Sequence, residues 1–254
     1  MSLSAAEYAL WAAGLVLLAL TCGALLKRRL VSEFPVFFAY AAFHVLRTGL
    51  LFTIHLLQLQ HRISYASYFY TYWATQSISI ALGFSVVYEI YRKVFQNYDA
   101  IRRFGGIIFA SAAVALLGVV VLTAASAPGV DVPGIIKAVV LLERSVRLMQ
   151  CGLLAFLFLL TLFFGLPWRN YLFGIALGFG AFATMELVAL AVRSHMGAIA
   201  DNALSQINSG AFDGGVLIWV CYLLAPEPAP QYAGLVAHND LERWNQALLE
   251  MLQR

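Results

Sequence analysis

The stretch AVVLLERSVRLMQCGLLAFLFLL, residues 138–160, is apolar except at its head, which carries Glu143, Arg144 and Arg147. The apolar run below Arg147 continues to Leu166. A helix needs about 20 mostly apolar residues to cross roughly 30 Å of hydrocarbon, so that run is by itself nearly long enough. The three charges therefore belong near one face of a membrane and not at its midplane.

Composition supports a membrane setting for the whole chain. Its 254 residues are 62% hydrophobic and 11% charged, whereas soluble domains carry about 25% charged residues. A net charge of +3 gives no footing for nucleic acid. Cys22, Cys151 and Cys221 all sit in apolar runs and read as small buried hydrophobes, with neither a disulfide framework nor metal-ligand spacing. No N-x-[ST] sequon occurs, which is compatible with a prokaryotic source.

Seven candidate spans follow, at 5–26, 34–57, 65–94, 105–125, 135–166, 171–192 and 203–224. No segment alternates with period two, so a strand barrel is excluded. The basic cluster Lys27-Arg28-Arg29 follows the first apolar run instead of preceding it, the order expected of a retained span. Lys27, Arg28, Arg29, Arg92, Lys93, Arg102, Arg103, Arg169, Arg243 and Arg254 fall on one side, and only Arg62, Lys137 and Arg193 on the other. Placing the basic loops in the cytoplasm puts the N-terminus outside and the C-terminus inside. The expected protein is thus an all-α, polytopic seven-transmembrane-helix bundle, residues 1–225, in the cell's inner (plasma) membrane. A cytoplasmic tail, 226–254, completes it. The tail opens with PEPAP, a stiff linker, and continues as NDLERWNQALLEMLQR. Leu241, Trp244, Leu248 and Leu252 form one apolar stripe there. This short amphipathic helix is expected to lie on the inner membrane surface, on its own bundle or on a membrane or cytoplasmic partner.

Oriented this way, the polar residues inside the spans gather in the outer half. His44 and Arg47 share a helix face three residues apart, with His55 further out on it. YASYFYTYWATQS supplies Tyr72, Thr75 and Gln76, its aromatics reading first as an interfacial belt. Glu143 and Arg147, four apart with the acid first, are in the favourable order for a pair on one helix. Gln150 lies one turn deeper. Glu186 occupies the outer half of the sixth span, and Asn208 and Asp213 that of the seventh. The inner half, typified by FLFLLTLFF at 156–164, reads as sealed; Glu89 is its exception, placed beside Arg92 and Lys93 where pairing or snorkelling is routine. GIALGFG, 174–180, spaces Gly174 and Gly178 for a close helix approach, within the chain or across a dimer. Asp213-Gly214-Gly215 suggests a kink in the seventh span.

A charge in hydrocarbon costs several kcal/mol unless paired or hydrated, so such residues mark function by default. The expected ligand-binding set is His44, Arg47, Tyr72, Gln76, Glu143, Arg144, Arg147, Glu186, Asn208 and Asp213, around an outward-facing polar pocket suited to an anionic small molecule. The same residues would also serve as a structural ion-pair network. A retinal protein needs a lysine that GAFDGGVLIWVCYLL, 210–224, lacks. No nucleophile elbow, phosphate loop, metal motif or cofactor signature is present. These features favour a sensor or receptor-like binding protein over a small transporter, a structural subunit of a larger membrane complex, or an intramembrane enzyme.

Overall fold

A computed structural model describes residues 5–60, 64–125, 145–159, 170–196 and 201–225, with Gln246 and Glu250 in the tail. All regular structure among the described residues is helical. Inside hydrocarbon every backbone N–H and C=O must find its partner within the protein, and a helix does this within one segment. The helices are α1, Ala5–Lys27; α2, Pro35–Leu59; α3, Tyr65–Val94; α4, Asp99–Ala125; α6, Asn170–Met196; and α7, Asp201–Leu224. Between α4 and α6 lies α5, described over Ser145–Leu159. Tyr8–Lys27, Pro35–Gln58, Tyr171–Ala189 and Gln206–Leu224 are long and apolar enough to cross a membrane. Helix α3, though 30 residues long, is diluted by tyrosines, hydroxyls and Gln76. The stripe expected after PEPAP lies outside the described residues except Gln246 and Glu250, both helical and exposed.

The tightest crossing joins α6 to α7, and glycine makes it possible. A Cβ on Gly178 would stand 2.7 Å from the Gly215 carbonyl oxygen and collide with the Trp219 indole. One on Gly174 would collide with Tyr222. The close approach expected of GIALGFG is thus made within the chain. Trp219, 1% exposed, donates from Nε1 to the Ile175 carbonyl across the seam at 3.1 Å. Asp213-Gly214-Gly215 lies within the continuous helix α7. Gly215 serves helix packing.

Helix α1 packs on α7 and α2, and α2 packs on α3. Two polar clamps fix one end of this bundle. Pro35 opens α2, and the Phe34 N-cap supplies no side-chain acceptor. The Glu89 carboxylate of α3 fills that role: Oε1 accepts from the Val36 N–H at 3.0 Å and Oε2 from the Phe37 N–H at 2.8 Å. Glu89 is therefore no snorkelling boundary acid. It is buried and caps a neighbouring helix where the positive end of the dipole favours an anion. The second clamp is Arg28, whose guanidinium donates to the Leu224 carbonyl at 2.5 Å, the Ala225 carbonyl at 3.1 Å and the Tyr171 hydroxyl. It closes the C-terminus of α7 against the starts of α6 and of the loop after α1. Arg29 turns that loop with φ 58°, into a 3-10 turn at Leu30–Ser32.

Between these clamps and the bundle's middle lies an aromatic core. Phe37, Tyr40, Phe179 and Trp219 are essentially fully buried with ring centroids 4.9–6.2 Å apart, in tilted and edge-on arrangements that aromatic pairs prefer.

The seam yields a contrast that thermal melting of purified variants checks. Gly178→Ala forces the seam apart and is expected to cost about 1–3 kcal/mol, as overpacking does. Gly23→Ala, in open space, is expected to be neutral or stabilising, because alanine is the better helix former. Equal melting temperatures for the two variants would contradict the assignment of the seam.

Candidate functional site

Above the aromatic core the helices diverge around a cavity of about 380 Å³. Each wall is a stripe set by the helical repeat. Helix α2 contributes His44, Arg47, Thr48 and Leu51; α3 contributes Tyr68, Tyr72, Gln76 and Ser79; α5 contributes Arg147. Helix α6 gives Phe182 and Glu186, and α7 gives Asn208, Ser209, Phe212 and Asp213. The α1 wall is apolar, built from Leu10, Trp11, Gly14, Leu15 and Leu18.

Two guanidiniums organise the polar walls. Arg147, with its side chain 6% exposed, brings Nε to 2.5 Å from Glu186 Oε2 on α6. This is a charge contact; the alignment of an N–H···O bond is lacking. Arg147 Nη1 also donates to Gln150 Oε1 at 3.1 Å, and its guanidinium carbon lies 4.9 Å from the centre of the Phe182 ring. Arg47 bridges α2 to α3. Its Nη2 donates to Gln76 Oε1 at 2.6 Å and its Nε to Thr75 Oγ1 at 3.3 Å, with Tyr72 beneath at 5.5 Å. The His44 ring sits between Tyr40 and Phe212, 4.4 and 5.2 Å away, and its Nε2 lies 2.8 Å from the Ser79 hydroxyl.

Helix α7 presents acceptors. Asp213 Oδ2 and Asn208 Oδ1 are buried and receive no hydrogen bond among the described residues. Asp213 stands against α1: a Cβ on Gly14 would lie 2.6 Å from its Oδ1. Gly14 thus leaves the room in which this carboxylate sits.

Of the residues expected at the pocket, His44, Arg47, Tyr72, Gln76, Arg147, Glu186, Asn208 and Asp213 line one chamber. Glu143 and Arg144 lie outside the described residues, so the Glu143–Arg147 pair does too; the described counter-charge of Arg147 comes from another helix. Tyr70 is 60% exposed, as a belt residue would be, whereas Tyr68 and Tyr72, on the adjoining face, stack at 6.4 Å along the cavity wall. His55 sits near the Trp11 and Tyr68 rings, outside the lining. Trp11, Gly14, Ser79, Phe182 and Phe212 went unremarked in the sequence. Ser79 extends the stripe of Tyr72 and Gln76, and Phe182 lies one turn from Glu186, so helical spacing from the polar residues would have found both. Among the described residues no three histidine, cysteine or carboxylate side chains converge as a metal site requires. Compared with known proteins, the chain matches no protein family, no curated protein and no solved structure.

The Arg147–Glu186 contact carries a measurable coupling. Removing one partner of a buried pair leaves the other uncompensated, at about 3–5 kcal/mol. Arg147→Met and Glu186→Gln are each expected to lower thermal stability in detergent, and the double variant to recover much of the loss. Strictly additive losses would show that the two charges are solvated separately.

Proposed function

We propose that the chain is a seven-span membrane protein, N-terminus outside and C-terminus inside, that binds a small anionic molecule in this chamber. In this reading α3, α4 and α5 cross the membrane alongside the four apolar helices, and the chamber faces outward. The observation that carries it is the placement of two guanidiniums, Arg47 and Arg147, on different helices around one cavity of about 380 Å³. That volume is within the range of small-molecule sites, roughly 300–1,000 Å³. Arginine presents a planar fork of donors suited to carboxylate or phosphate oxygens, and the low dielectric around a membrane cavity strengthens such contacts.

The reading favours binding over transport for one reason. A transporter exposes its site to each side in turn, and here Phe37, Tyr40, Phe179 and Trp219 fill the bundle below the chamber with buried rings. The glycine seam beneath Phe182 and the clamps at Arg28 and Glu89 hold that end closed. The tail, with its stripe of Leu241, Trp244, Leu248 and Leu252, is the proposed contact with a protein through which binding is signalled. The inner (plasma) membrane is the proposed location.

A melting screen of the purified chain against butyrate, succinate and inorganic phosphate, with sodium chloride matching ionic strength, tests the reading. Ligand in hundredfold excess over Kd stabilises the folded state by about 2.7 kcal/mol, so a rise of several degrees is expected for at least one anion. Arg47→Gln is expected to abolish that rise, measured against the variant's own unliganded melting temperature. No rise beyond the salt control for any of the three would count against the reading.

A further inference from the structure

The ligand of this chamber has a second requirement, visible on its α1–α7 wall. Among the described residues the lining carries two guanidiniums, Arg47 and Arg147, and two carboxylates, Glu186 and Asp213. Glu186 lies against Arg147 at 2.5 Å. Asp213 belongs to a different wall, seated in the space left by Gly14 of α1. Its Oδ2 is buried and accepts no hydrogen bond among the described residues, and the same holds for Asn208 Oδ1 nearer the start of α7. A carboxylate withdrawn from water without a counter-charge is costly; Asp213 makes no ion pair among the described residues and lines this cavity beside Asn208, which points to a cation supplied from within it.

An anion alone does not meet this need. A carboxylate or phosphate at the arginines brings acceptors, and at Asp213 it would add a like charge. We infer that the ligand is a small zwitterion, whose anionic group meets Arg47 and Arg147 and whose primary ammonium donates to Asp213 and Asn208. An ammonium carries three N–H donors and no acceptor, the complement of a wall that offers only oxygens. The balanced lining charge suits a molecule whose own charges sum to zero better than a net anion. Trp11, on the α1 wall beside Gly14, adds an aromatic surface of the kind that attracts cations. The inference rests on the anion-binding reading above and narrows it.

The test uses the full chain in lipid nanodiscs and titration calorimetry with the ω-amino acids from glycine to 6-aminohexanoate, each beside the carboxylic acid of the same length without its amine. At least one amino acid is expected to bind on the order of tenfold tighter than its matched acid, the gain typical of a charge-assisted hydrogen bond. Asp213→Asn, which keeps the shape and removes the charge, is expected to erase that gain while the matched acid binds as before. Asn208→Val is expected to reduce the gain in part, and it carries the comparison should Asp213→Asn not fold. If the acids bind and no amine adds affinity at any length, the zwitterion inference is overturned and the anionic site stands. If an amino acid gains affinity that Asp213→Asn and Asn208→Val both leave intact, the assignment of the ammonium to α7 is overturned. If neither acids nor amino acids bind, the anion-binding reading itself falls.

Discussion

A guanidinium inside a helical bundle has to meet a counter-charge. Moving an ion out of water costs several kcal/mol even after relaxation, and Arg147 is nearly wholly withdrawn from solvent. The arrangement around it follows. Glu186 of α6 supplies the charge, Gln150 one turn along its own helix accepts a second donor, and the Phe182 ring covers the guanidinium face. These contacts tie α5 to α6, a connection that apolar packing in lipid gives little reason to form, because lipid tails solvate leucine as well as a neighbouring helix does. Arg47 does the same between α2 and α3 through Gln76 and Thr75. The polar groups that define the chamber are thus also what hold its walls together.

The opposite end of the bundle is held by different means. There the backbones of α6 and α7 approach at Gly178 and Gly215, and Trp219 links them with a hydrogen bond to the Ile175 carbonyl. Glu89 and Arg28 complete two helix ends that their own sequences leave unfinished. One satisfies the first amides of α2, the other the last carbonyls of α7. Each device satisfies backbone groups that are costly to leave unpaired away from water. A closely packed end and an open, polar end therefore coexist because separate interactions stabilise them: van der Waals contact and capping in one, charge pairing in the other.

The helical class and the helix faces were legible in the sequence, for one physical reason. Spacings of three and four residues put His44 with Arg47, and Tyr72 with Gln76, on common faces whatever else the fold does. Which helices stand side by side was not legible. The sequence offered Glu143, which lies outside the described residues, as a partner of Arg147; it gave no sign that Glu186, distant along the chain, would also meet that guanidinium. The capping role of Glu89 was not legible because those partners are backbone amides, which leave no trace in the residue types apart from Pro35 at the helix start. Arg28 read as a topogenic charge although it also closes a helix 197 positions further along. The α1 wall escaped notice since Leu10, Trp11 and Leu15 look the same facing lipid as facing a cavity; only Gly14, small beside Asp213, distinguishes that face.

An outward-facing chamber requires that these polar side chains surround water open to one side of the membrane. The most direct measurement is the reaction of a single cysteine at Ser209, in a chain whose Cys22, Cys151 and Cys221 are replaced by serine or alanine, with a small, charged, membrane-impermeant thiol reagent. Ser209 lines the chamber on a helix that is otherwise long and apolar enough to lie in hydrocarbon. Modification from outside intact cells is expected, at a rate within reach of that for a cysteine placed at the exposed Gln60. Inertness from both sides, or modification only from the cytoplasmic side, would contradict an outward-facing chamber.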